Sequence, residues 1–183
     1  MSRIACVGWG SLIWDTRDLL ILGAWREDGP MVQVEFLRQS RDGRITLVLN
    51  SSARAVPSQW ALMPNTDITS ALEALRRREG VSKARSAEIA AWSTGSPEPA
   101  LIHDLPAWSE ARNIDAVIWT ALPPRFEDQE RVAPTQEQVI AYLSALRGPA
   151  RDLAEGYIRR APRQIDTDFR RAIARALNWT ALG

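Results

Sequence analysis

Apolar and polar positions change their period near residue 64, and the change separates a strand-rich first part of the chain from a helix-rich last part. Ile4–Val7 is a short, wholly apolar run, the pattern of a buried strand. Thr16–Gly23 is apolar without a clear period and fits a short helix or an extended connection. In Met31–Phe36, Val32, Val34 and Phe36 alternate with Gln33 and Glu35, which predicts a half-buried strand. The turn Asp42-Gly43 leads into the apolar Ile45–Leu49, and the two strands read as a hairpin. Ala55–Met63 predicts a further strand, with Pro57 placing it at an edge or marking its first residues.

Pro64–Asp67 then breaks the chain, and Ile68, Leu72 and Leu75 fall on one helical stripe. Ser70 and Glu73 have capping-box spacing, and Gly80 suits the helix end. Residues 81–112 carry the weakest pattern: Ala87–Trp92 fits strand or helix, and Gly95–Pro99 is a loop. Ile114–Leu122 reads as the last strand, stopped by Pro123-Pro124. Thr135 and Gln138 open a helix whose inward positions are Val139, Ile140, Leu143 and Leu146. Gly148-Pro149 starts the next helix, with Leu153, Tyr157 and Ile158 inward and Pro162 at its end. Asp166 or Thr167 caps a last helix carrying Phe169, Ile173 and Leu177. Strands first and helices later predict an α+β fold, a curled sheet or small barrel flanked by helices, in one domain spanning residues 1–183.

The apolar opening run ends in Gly8-Trp9-Gly10-Ser11. Glycine admits positive φ and lets a ligand approach the main chain without meeting a Cβ. Successive N–H groups in such a turn form a concavity suited to a carboxylate or phosphate. The same residues also fit a plain tight turn with Trp9 and Trp14 in the core.

Composition narrows the chemistry. The 183 residues hold 23 Lys+Arg against 22 Asp+Glu, a net charge of +1, which supplies no general attraction to nucleic acid or anionic membrane. Arg159, Arg160, Arg163, Arg170, Arg171 and Arg175 cluster near the C-terminus, but they fall largely opposite the apolar stripes, where ordinary solvation accounts for them. With no secretory leader pattern and no membrane-length apolar run, the expectation is a cytoplasmic protein. The single cysteine, Cys6, lies within a predicted strand and the single histidine is His103, too few for a His/Cys metal site. P-loop and dinucleotide fingerprints are missing too. Proton chemistry, if the chain is an enzyme, therefore falls to a carboxylate.

Glu79 is that carboxylate. Positions 68, 72, 75 and 79 share one helical face, and only the last is not apolar. Burial there and the negative end of the helix dipole both favour the protonated acid, a useful bias for a general acid–base. The alternative is a frayed end with Glu79 turned outward to Arg76 or Arg78, the Arg76-Arg77-Arg78 run being a solvated face.

Two segments in this order resemble the γ-glutamylcyclotransferase-like superfamily, in particular its ChaC-type glutathione-degrading branch. Val7–Trp14 is similar to its strand-to-loop motif, and Leu72–Val81, ending Arg78-Glu79-Gly80, to the helix that carries its catalytic glutamate. Gly23–Arg26, Arg44–Leu49, Ala133–Ala141 and the stretch from Arg147 to Tyr157 follow the family more loosely. The resemblance implies a small mixed β-barrel flanked by helices, with Glu79 as acid–base. It implies Val7, Gly8, Trp9, Gly10, Ser11, Leu12 and Tyr157 as substrate-binding residues. The implied partner is a small γ-glutamyl compound cyclised to 5-oxoproline, with no cofactor, metal, nucleic acid or membrane and with the oligomeric state left open. Trp9 stands where the family has tyrosine, and the segment after the second strand is shortened to Ser40–Gly43. A γ-glutamyl amine or peptide other than glutathione is thus an equal expectation. A non-catalytic member of the same fold that binds a small carboxylate or a protein partner is the second reading.

Overall fold

A computed structural model describes residues 2–182. In chain order the elements are β1 (Ile4–Gly8), β2 (Leu22–Arg26), β3 (Met31–Gln39), β4 (Ile45–Leu49), β5 (Ala55–Pro57), β6 (Gln59–Leu62) and α1 (Ile68–Glu79). A 3-10 helix (Lys83–Glu88), β7 (Ile89–Ser93), β8 (Ile102–His103), α2 (Leu105–Glu110), β9 (Ala116–Thr120), β10 (Arg125–Phe126) and β11 (Gln129–Glu130) follow. The chain closes with α3 (Gln136–Ala145), α4 (Gly148–Arg160) and α5 (Asp168–Leu177). The architecture is α+β. Contacts gather into two units, each discontinuous in sequence: Met1–Gly8, Leu12–Val32 and Pro57–Leu122 form the first, and Trp9–Ser11, Gln33–Val56 and Pro123–Gly183 the second.

The first unit is built on a five-stranded mixed sheet of order β2-β6-β1-β9-β7. β1 is its centre, antiparallel to β6 and parallel to β9. All five of its residues are buried, which is why its sequence is apolar without alternation. On this sheet lies the apolar face of α1: Ala71 and Leu75 pack with Ile4, Cys6, Ile89, Ala116 and Ile118, and Ile68 and Leu72 flank them. In the second unit β3 and β4 form the antiparallel hairpin, β10 runs parallel to β3, and β11 pairs β10. Among the described residues neither sheet pairs its last strand back to its first, so the expected barrel does not close. Nor, among these residues, is any helix long and apolar enough to cross a membrane.

Several boundaries differ from the sequence reading. The predicted strand Ala55–Met63 is two strands, because Pro57 has no N–H and Ser58 turns its own N–H to Pro30 O at 3.1 Å. Of the two readings of Thr16–Gly23 the connection holds, and β2 begins at Leu22. Ile114–Leu122 is not the last strand, since β10 and β11 follow the two prolines. The cap of α1 is Asp67, whose carboxylate accepts from Thr69 N and Ser70 N at 3.0 and 3.1 Å, so Ser70 lies inside the first turn. Leu153 is 52% exposed, and Ala154, Tyr157 and Ile158 form the buried face of α4, where a small residue permits close approach to β4. Two polar residues assigned outward are buried. Glu35 lies beneath the start of α5, and Arg170 closes the end of α4.

Candidate functional site

The first unit holds Val7, Gly8, Leu12 and Glu79. Val7 and Gly8 end β1, opposite Trp60 and Gln59 of β6. A Cβ on Gly8 would stand 3.1 Å from the Trp25 ring, and Leu12 belongs to the core cluster under α1. Gly80, at φ 65°, ends α1 by the left-handed conformation that favours glycine, and Gly80 N and Val81 N donate to Arg77 O and Arg76 O at 3.0 and 3.1 Å. That closure makes Glu79 the last helical residue.

The Glu79 side chain is 13% exposed, so it neither enters an apolar core alone nor turns out to solvent. Arg78 Nη1 donates to its Oε1 at 2.6 Å. Arg78 itself is buried, and its Nε and Nη2 donate to Asp15 O, the former at 3.1 Å. Arg17 returns the contact, donating from Nη1 to Arg78 O at 3.2 Å. Cys6 of β1 lies within the electrostatic reach of Glu79: burial above all, and then the Glu79 charge, push its thiol far above the usual range, against the opposing charge of Arg78. The thiol is therefore neutral and unsuited to act as a nucleophile.

The second unit holds Trp9, Gly10, Ser11 and Tyr157. Trp9 and Tyr157 are buried at 3% and 5% exposure. The Tyr157 hydroxyl stands 2.5 Å from where a Cβ on Gly10 would lie, and it accepts from Leu47 N at 3.3 Å. Phe36 packs edge-on to the Tyr157 ring at 6.4 Å, and the Arg44 guanidinium covers it at 5.4 Å. Neither Gly8 nor Gly10 has positive φ, so the requirement for glycine at both positions is space. The groups that fill the space are a tryptophan ring and a tyrosine hydroxyl.

Each unit thus gathers part of the expected set: Val7, Gly8, Leu12 and Glu79 in one, Trp9, Gly10, Ser11 and Tyr157 in the other. The sequence reading had Arg78 only as a solvated partner of an outward Glu79, and it gave no role to Trp25 or Arg44. Arg78 was open to discovery, because 71, 75 and 78 are spaced as one helical face and the first two are apolar. Among the described residues no group of three or more His, Cys, Asp or Glu side chains is placed to hold a metal ion. Chemically, Arg78 places a charge-assisted hydrogen bond on one oxygen of the Glu79 carboxylate. No protein-family model matches the chain, and no curated protein matches it either.

Proposed function

We propose that the protein is a γ-glutamylcyclotransferase-like enzyme that converts a γ-glutamyl amine or peptide to 5-oxoproline. In this reaction the substrate's α-amine attacks its own γ-carbonyl, a C–N bond closes the five-membered ring, and the original amide C–N bond breaks. Glu79 takes the proton from the α-nitrogen and delivers it to the departing amine. No protein nucleophile is needed, because the attacking group is already tethered to the carbonyl. The resemblance assigns the γ-glutamyl part to main-chain groups of Val7, Gly8, Trp9, Gly10, Ser11 and Leu12, with Tyr157 as a further substrate-binding residue.

The observation that carries this reading is Glu79 itself, a largely buried carboxylate at the end of α1 within reach of Cys6 on β1, the strand that runs into the glycine turn. The Arg78–Glu79 ion pair favours a second reading, a non-catalytic protein of related fold that binds a small carboxylate or a protein partner, because it occupies the carboxylate with a structural contact. The experiment is incubation with a panel of γ-glutamyl amines, γ-glutamyl amino acids and glutathione, with 5-oxoproline read by mass spectrometry. Turnover abolished by Glu79→Gln supports the enzyme. Turnover unchanged by Glu79→Gln sinks the mechanism, and calorimetric binding without turnover selects the second reading.

A further inference from the structure

The run Arg76-Arg77-Arg78 divides in the structure. Arg76 pairs with Glu73 at 2.6 Å, Arg77 is exposed, and Arg78 goes inward with a side chain only 3% exposed. A buried guanidinium is costly unless its donors are met and its charge compensated. Arg78 meets both conditions with two edges of one planar group. Nη1 points to Glu79 Oε1, while Nε and Nη2 converge on the main-chain oxygen of Asp15. The bond is answered from the other side. Arg17, held at φ 50° in the left-handed region, donates to Asp15 Oδ2 at 3.4 Å and to Arg78 O at 3.2 Å. Such a backbone is unfavourable for a residue with a Cβ, and the contacts to Arg78 and Asp15 hold it there.

We infer that Arg78 is a positioning residue, whose guanidinium ties the Glu79 carboxylate to the main chain of the segment leaving the glycine turn. The inference rests on Glu79 being the acid–base of the proposed reaction. Four charged or titratable groups are tied to that carboxylate directly or through Arg78. Arg78 is on its own helix, Cys6 is on β1, and Asp15 and Arg17 are paired in the segment after β1. β7 and β9, the other strands against α1, carry no ionisable side chain. Arg78 is a cation in direct contact with Glu79, and its removal takes that charge away from the carboxylate. Lysine keeps the charge but lacks the fork that serves carboxylate and carbonyl together.

Two variants separate charge from fork. Arg78→Met moves the acidic limb of the rate–pH profile upward and raises KM. Arg78→Lys leaves the limb near its place, with KM several-fold higher because the Asp15 segment is released. Thermal melts check that both variants fold. An acidic limb at the same pH in the parent protein and Arg78→Met overturns the inference. If the parent yields no 5-oxoproline, the proposed reaction fails by itself, and carboxyl-carbon NMR of Glu79 then decides on Arg78. A titration at higher pH in Arg78→Met, with altered amide shifts at residues 15–17, upholds the tie; identical spectra overturn it.

Discussion

The hydroxyl of Tyr157 occupies the space that a Cβ on Gly10 would need, at 2.5 Å, whereas the ring carbon that bears it is 3.5 Å away. The clash therefore belongs to one oxygen. Gly10→Ala is expected to cost about 1–3 kcal/mol through that overlap. Removing the oxygen opens the space, so Gly10→Ala in a Tyr157→Phe background costs clearly less than in the parent, although Tyr157→Phe alone loses the bond from Leu47 N. A double-mutant cycle by urea unfolding measures the coupling, and strictly additive losses would refute the contact.

Glu35 gives a prediction about pH. Its carboxylate accepts from Thr167 Oγ1 at 2.5 Å, Phe36 N at 2.9 Å and Phe169 N at 3.1 Å, which joins β3 to the first turn of α5. Burial nevertheless dominates and raises its proton affinity above that of an ordinary glutamate, against the three hydrogen bonds. Folding thus increases proton binding at this group. Its contribution is fully present below the ordinary glutamate range and declines as pH rises from there through the raised folded-state value. Glu35→Gln cannot offer three acceptor contacts and loses about 1–3 kcal/mol at neutral pH. It also removes that part of the pH dependence. Unfolding free energies measured from mildly acidic to neutral pH test both effects, and parallel curves for parent and variant exclude the second.

Arg170 closes the end of α4. Its Nη1 donates to Pro162 O at 2.6 Å and Ile165 O at 3.0 Å, and its Nη2 donates to Ile158 O at 3.1 Å and to Ala161 O. Burial lowers its proton affinity, with Asp166 opposing. Four carbonyls share one guanidinium. Arg170→Met leaves them without that donor and is expected to cost about 2 kcal/mol or more. Arg170→Lys, with three donors and no planar fork, recovers only part. Equal stability of the methionine and lysine variants in thermal unfolding would rule out the carbonyl bonds as the cause.

The chain by itself determined what depends on neighbours close in sequence. The buried strand over Ile4–Val7, the Gly80 stop, the Thr135–Gln138 capping box and Pro149 at the start of α4 follow from local conformation and from periodicity. So did the singular position of Glu79 on its helix. Tertiary structure decided the fate of the polar groups. Glu35 read as the outer face of a strand because its partner Thr167 is 132 residues away, and Arg170 read as solvated because the carbonyls it serves end a different helix. The glycines at 8 and 10 were legible as glycines, but the reason for them was not: Trp25 and Tyr157 come to them from elsewhere in the chain. Arg78 belongs to the same class. Whether a guanidinium faces solvent or holds a carboxylate is fixed by which acceptors the fold brings to it, and Asp15 O lies 63 positions away. Local propensity places a side chain on a face; long-range partners decide what burial there costs and what it does.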